Sequence, residues 1–315
     1  MEAIQSIGRV DNLVFEGGGI KGIAAIGAME VLASDGCLDG VVRVGGTSAG
    51  AINALIHALG YSMGEQLEIL SSTDFEAFLD ESFGVIRDLH RLATDFGWHR
   101  GEFFRGWLGA LIAAKLGDRE ASFADLKKAR GVSAYVVGTN LSTGFAEVFS
   151  HETHPTMPLV DAVRISMSIP LFFQAVRLGP KRSVYVDGGV QLNYPIRLFD
   201  HPRFWEAEAW GVDRSIHTRA PNPYTLGIRL DNASEMGLYL DDEPPKHQDI
   251  DSFTDFARAL VASVLNQQSR VHLDSEDWAR TVYVDTLNVG TTDFGLSETK
   301  KQALVEQGRL GARRY

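Results

Sequence analysis

The stretch Arg43-Val44-Gly45-Gly46-Thr47-Ser48-Ala49-Gly50 decides how this chain reads. A β-branched run from Val41 to Val44 ends in small residues, and 49–59 has the composition of a helix, so the sequence predicts a strand, a sharp turn and a helix with Ser48 at the tip. Gly46, Ser48 and Gly50 satisfy the spacing G-x-S-x-G, in which glycines let the backbone fold tightly enough to push a serine oxygen into the open. The same pentapeptide is equally well a loop of small residues. The rest of the chain has to distinguish the two.

Upstream, Leu13-Val14-Phe15 is a short apolar strand that runs into Gly17-Gly18-Gly19-Ile20-Lys21-Gly22 and then a helix from Ile23 to Ala33. Two strand–turn–helix units in succession predict an α/β fold with parallel strands, and Ser48 then stands at the carboxyl end of the second strand, where such sheets gather ligands. Downstream, strands are expected at 134–137, 144–149, 183–186, 225–230 and 281–285, and helices at 158–168, 253–271 and 297–307, the last capped by Ser297. The segment 62–130 is helical and aromatic, including Phe83, and Phe104, Trp107, Leu108, Leu111 and Ile112 share one helix face, read as core. No repeat or long linker divides the chain, so 1–315 is expected to be one domain, with 62–130 as a cap region and the acidic, proline-containing stretch 231–251 as a mobile loop.

Composition narrows the function classes. With 315 residues and 44% hydrophobic content the chain can bury a large core. A single cysteine, Cys37, rules out an internal disulfide framework and any cysteine-rich metal site. The first nine residues lack an apolar signal core, and no window approaches the ~18 apolar residues of a membrane span, so a cytoplasmic protein is expected. A formal net charge of -11 disfavours nucleic acid as a partner. Charge is nonetheless uneven, with a local net of +3 over 87–130 and -7 over 231–255.

A serine nucleophile needs a base. His57 lies nine residues beyond Ser48 on the same helix, about two and a half turns away and on the opposite face. His151, His154, His201, His217, His247 and His272 stand in polar or loop-like surroundings. The carboxylate that looks positioned is Asp187, at the end of a short strand and followed by Gly188 and Gly189, which permit close approach of another backbone. A free aspartate is a weak base, with a pKa of about 3.9, so a Ser48–Asp187 dyad requires a shielded Asp187. The alternative at this position is an Asp-Gly-Gly turn. Gly17, Gly18 and Gly19 ahead of a helix can offer N–H groups to an oxyanion, with Lys21 adding charge. Gly17, Gly19 and Gly22 also satisfy G-x-G-x-x-G, which leaves a dinucleotide site as the runner-up, although the second strand does not end in the acidic residue a ribose would need.

Gly-Gly-Gly-Ile-Lys-Gly at 17–22, Gly-Thr-Ser-Ala-Gly at 46–50, Arg-Ile-Ser-Met-Ser-Ile-Pro at 164–170 and Asp-Gly-Gly at 187–189, in that order, resemble the patatin-like phospholipase family. The resemblance implies a three-layer α/β/α fold with a mainly parallel central sheet and a lipid acyl hydrolase using a serine–aspartate dyad without metal or cofactor. Ser48 matches the nucleophile, Asp187 the base, and Gly18 and Gly19 the oxyanion hole, with Gly17 and Lys21 beside it and the N–H of Ala49 as a further donor. Gly46, Gly50, Gly188 and Gly189 support the two turns. The implied substrate is a lipid or phospholipid, reached by peripheral membrane contact. A regulated or noncatalytic lipid-binding effector is the other reading of the same resemblance.

Overall fold

A computed structural model of the chain describes residues 9–79, 96–204, 220–231, 247, 249–270 and 276–315. Most of the expected 231–251 loop lies outside the described residues, as do Phe83, His217, His272 and the first eight positions. In chain order the elements are β1 (Asn12–Phe15), α1 (Ala24–Ser34), β2 (Arg43–Thr47), α2 (Ala49–Ala58), α3 (Met63–Ser72), β3 (Gly97–His99), α4 (Glu102–Leu116), α5 (Phe123–Arg130), β4 (Ser133–Asn140), β5 (Phe145–Ser150), α6 (Leu159–Ser166), β6 (Leu171–Phe173), β7 (Val176–Leu178), β8 (Ser183–Asp187), β9 (Thr225–Asp231), α7 (Phe253–Arg270), β10 (Thr281–Asp285) and α8 (Glu298–Arg314).

The main sheet has the order β10-β9-β1-β2-β4-β8-β7, with β5 also on β4. From β10 to β4 every pairing is parallel, and the pairings of β4 with β5 and β8, and of β7 with β8, are antiparallel. This is a mixed α/β fold with a mostly parallel central sheet. All residues of β1, β4 and β9 are buried, as expected of strands covered on both faces. Alternation along β1 divides the core: Leu13 and Phe15 join the large cluster containing α1, α2 and α8, and Val14 packs with Tyr135, Tyr194, Ile196 and Phe199 on the other face.

Two details depart from the sequence expectation. The second strand was expected over Val41 to Val44, but β2 occupies Arg43–Thr47, so its glycines lie inside the sheet. They are wanted there because a Cβ on Gly45 would come within 2.6 Å of Leu198 Cδ2, and one on Gly46 within 2.7 Å of the Ala51 nitrogen. The short strands β3 and β6 pair with each other in a separate two-stranded sheet. The stripe on α4 is core as expected: Phe104, Leu108 and Ile112 are buried, and Phe78 packs its ring 5.2 Å from Phe104 and 5.3 Å from Trp107.

The register around β4 positions everything that follows. β2 runs parallel to β4 with Thr47 opposite Val137, and β8 runs antiparallel to β4 with Asp187 opposite Gly138. Because β5 overlaps both pairings, from Tyr135 to Asn140, it occupies the other edge of β4. The strands β2 and β8 therefore share one edge and meet end to end, with their carboxyl termini facing each other across adjacent residues of β4. Such an abutment leaves little room, and a Cβ on Gly188 would stand 2.9 Å from Thr47 Cγ2 and press on the carbonyl of Val137. Gly188→Ala is expected to destabilise the protein by roughly 2 kcal/mol or more in urea unfolding. Gly144→Ala, in an open turn with φ 81° and nothing near its Cβ position, should cost only about 1 kcal/mol.

Candidate active site

The abutment brings Ser48, the residue after β2, to the end of β8 at Asp187. Ser48 has φ 55° and ψ −127°, a conformation that costs a non-glycine residue ~1–3 kcal/mol. The residues two positions away on either side, Gly46 and Gly50, let the turn close: a Cβ on Gly50 would lie 2.5 Å from the carbonyl oxygens of Phe15 and Glu16. The turn is held from outside by α6 and the loop after it. Ser48 donates its N–H to Ser166 Oγ at 2.8 Å, and Ser166 Oγ in turn donates to Val137 O at 2.6 Å. Ser48 Oγ points towards Met167 Sδ at 3.5 Å, a weak acceptor. Ser168 O then accepts the N–H of Asp187 at 2.8 Å. Three consecutive residues thus hold Ser48 and Asp187, through the backbone N–H of each and through the Ser48 hydroxyl. Arg164 anchors the loop from within, donating to Ser168 Oγ at 2.6 Å and to the carbonyl of Arg100 at 2.7 Å.

Asp187 is only 2% exposed. One oxygen, Oδ1, accepts the N–H of Gly189 at 2.7 Å, and Oδ2 is buried without a hydrogen bond. Burial pushes its pKa from the ordinary carboxylate range up to about 7, against the nearby Ser48 hydroxyl and the Gly189 N–H, which favour the ionised form. The Ser48 hydroxyl is thus near enough to the Asp187 carboxyl to favour its ionised form, while its own hydrogen bond runs to Met167 Sδ. The shielded aspartate that the sequence required is present. No histidine among the described residues hydrogen-bonds either side chain; His57 sits in the last turn of α2, and burial lowers its pKa to about 4.

The glycine loop divides its duties. Gly17, expected from the sequence to offer its N–H to an oxyanion, donates it here to Asn193 O at 3.0 Å. Among the described residues, the N–H groups of Gly18, Gly19 and Ala49 have no such acceptor. Gly19 has φ 56° and lies against Thr291, whose carbonyl accepts from Ile20 N at 3.4 Å. The stem of Lys21 passes Gly18, and its backbone N–H closes the turn onto Gly18 O at 3.2 Å.

Beneath the loop is a buried network that the sequence did not announce. Glu16 Oε2 accepts from Leu230 N at 2.7 Å and Oε1 from Asn193 Nδ2 at 3.3 Å, and Asn193 Nδ2 also reaches Gly17 O at 3.0 Å. Burial raises the Glu16 pKa to about 7, Arg229 opposing it and Asp231 adding to it. The only clue in the sequence was an acidic residue directly before three glycines.

An apolar cavity of about 290 Å³ opens beside Asp187, walled by Ile169, Pro170, Leu171, Val190, Leu260 and Val261. It can shelter a hydrocarbon chain next to a carboxyl group with a pKa near neutrality. Among the described residues there is no cluster of His, Cys, Asp and Glu able to hold a metal ion, and no helix long and apolar enough to cross a membrane.

Because the folded state holds the Asp187 proton more tightly than the unfolded chain, this group's stabilisation is complete below about pH 4 and is lost as the pH rises through about 7. Asp187→Asn removes the titration. Its Tm should exceed that of the wild type by several degrees at pH 8, and the two should coincide at pH 4, as read by calorimetry.

The patatin-like phospholipase family matches residues 13–200 of the chain. An uncharacterized protein of Bacillus subtilis, YqhO, is 33% identical over 308 residues, covering 94% of each chain. The probable lipid hydrolase 463L of Invertebrate iridescent virus 6 is 25% identical over 189 residues, 59% of this chain and 62% of that one. Among solved structures, VipD from Legionella pneumophila superposes with a TM-score of 0.64 at 16% identity, over 97% of this chain and 66% of VipD. The family match, spanning both the Ser48 turn and Asp187, and the near full-length relative together make this chain a member of the patatin-like phospholipase family.

Proposed function

We propose that the chain is a lipid acyl hydrolase that cleaves fatty-acyl esters of glycerolipids, as a phospholipase A or lysophospholipase does, through Ser48 and Asp187. The observation that carries this reading is the end-to-end meeting of β2 and β8 on β4, which joins a strained serine to a dry carboxylate beside an apolar cavity.

In this mechanism the acyl chain enters the cavity and its ester carbonyl stands over Ser48. Asp187 takes the Ser48 proton as Oγ attacks the carbonyl carbon, and the N–H groups of Gly18, Gly19 and Ala49 hold the oxyanion. Collapse of the tetrahedral intermediate breaks the ester C–O bond, and the proton passes from Asp187 to the departing alcohol. The products of this half are the deacylated lipid and Ser48 acylated on Oγ. Water, losing a proton to Asp187, then attacks the acyl-enzyme, and the second collapse returns the proton to Ser48 and frees the fatty acid. One carboxyl group with a pKa near the working pH serves as acid and base in turn. Gly17 contributes by anchoring the loop. Lys21 adds positive charge beside it.

A fluorophosphonate should label the native protein at Ser48, as located by peptide mass spectrometry, and Ser48→Ala should not be labelled. Persistent labelling of that variant would place the nucleophile elsewhere. Fatty-acid release with an intact Ser48 separates a hydrolase from a noncatalytic lipid-binding effector. Asp187→Asn should lower ester hydrolysis by about a hundredfold or more. Since Asp187 acts when ionised, kcat/KM of the wild type should rise about tenfold per pH unit below an inflection near 7 and level off above it.

A further inference from the structure

The strand β4 does not stop where the candidate site lies. Beyond Val137 it continues for three residues and turns through Leu141–Gly144 into β5, so the β4–β5 hairpin projects past the carboxyl ends of the parallel strands. The hairpin tip carries two large apolar side chains in solvent: Leu141 is 51% and Phe145 73% exposed. No packing or turn requirement explains either, since the turn is made by Asn140, Thr143 and Gly144.

Beside this tip lies the β7–β8 hairpin. Leu141 N donates to Val184 O at 2.8 Å, Val184 N donates to Ser142 Oγ at 2.9 Å, and Arg177 is the partner of Val184 across the two strands. The edge so formed contains Arg177, Lys181 and Arg182, all exposed, and 141–145 and 176–183 contain no acidic residue. Among the described residues none of the three forms an ion pair. Three positive charges on a hairpin next to two exposed apolar side chains are unusual on a chain of net charge -11.

We propose that the adjoining tips of the β4–β5 and β7–β8 hairpins are the surface by which this protein docks on a bilayer containing anionic phospholipid. Leu141 and Phe145 enter the headgroup–acyl boundary, and Arg177, Lys181 and Arg182 pair with lipid phosphates and carboxylates. The occupant is a lipid surface because an apolar tip adjoins a basic one at the same protruding end of the sheet with no acidic residue in either turn, whereas a protein-binding groove would be concave. The reading rests on the proposed lipid-ester chemistry, and geometry links the two. β8 leads from this edge to Asp187 in five residues, about 16 Å of extended strand. Leu171, in the wall of the apolar cavity, belongs to the strand that runs directly into β7. A lipid whose chains span one leaflet, about 15 Å, can therefore reach the cavity from a membrane held at the edge.

The test uses the full chain carrying Ser48→Ala, so that bound vesicles are not consumed, and measures co-sedimentation with phosphatidylcholine vesicles with and without phosphatidylserine. Lys181→Ala/Arg182→Ala should weaken binding to the phosphatidylserine vesicles about 25-fold at low salt, at roughly fivefold per basic residue, and leave binding to pure phosphatidylcholine unchanged. Leu141→Ser/Phe145→Ser should weaken binding to both kinds of vesicle by about tenfold or more. With Ser48 restored, both pairs should hydrolyse the soluble ester p-nitrophenyl butyrate at the wild-type rate, which also reports correct folding. Vesicle binding that survives both pairs of substitutions, or a parent protein that does not bind anionic vesicles, would overturn the docking surface. Failure of the wild type to hydrolyse any ester would overturn the catalytic reading alone, because binding is measured independently of turnover.

Discussion

The whole arrangement depends on the way one strand, β4, accepts two others on the same edge. Parallel pairing with β2 ends at Val137, and antiparallel pairing with β8 begins at Gly138. A strand parallel to β4 on this edge would have turned its amino end to the serine, and one on the other edge would have ended two strand-widths, roughly 10 Å, away. The reversal instead points the end of β8 straight at it. The small residues at the junction are consequences of this geometry: Gly188 makes room for the Val137 carbonyl, Gly46 and Gly50 let the Ser48 turn close, and Ser166 ties that turn back to β4.

Desolvation follows from the same junction. Asp187 is buried between the α6 loop, its own Gly188–Val190 turn and the apolar cavity, and its second oxygen accepts no hydrogen bond. A carboxylate in that position is costly, and the protein tolerates the cost where it raises the proton affinity of the group. Glu16 is a second carboxyl with a pKa near 7, but its two oxygens are both engaged, by Leu230 N and Asn193 Nδ2. Similar burial thus yields one acid with an oxygen left without a partner and another committed to holding a loop. Proton affinity alone does not distinguish them; the unsatisfied oxygen does.

Much of this was legible because the signals are local. The first two strand–turn–helix units could be read from β-branched runs followed by glycines, and Asp187 stood out as an acidic residue at a strand end before two glycines. The limits of β2 were missed because Gly45 and Gly46 have poor strand propensity, and only the closeness of Leu198 and α2 explains their place in the sheet. Gly17 was grouped with its neighbours because sequence does not reveal where an N–H points; its acceptor, Asn193 O, is supplied from far along the chain. Ser166, Met167 and Ser168 could be noticed as part of a motif, yet their contacts with Ser48 and Asp187 exist only after α6 has packed on β4. Residues whose role is set by their own backbone were readable, and those whose role is set by a partner were not.

The end-to-end meeting of β2 and β8 also orders events during synthesis. A ribosome that has made the chain through β5 has already produced the serine, its glycines and the helix behind it, but neither the hydroxyl of Ser166 that steadies the turn nor the carboxyl group that faces it. Those arrive only with α6 and β8, and β8 must then slot into an edge already half occupied by β2. On the chemistry proposed above, an unfinished or truncated chain is harmless to the lipids around it. Reactivity appears only once most of the molecule has been made and folded, a safeguard supplied by topology without any inhibitor.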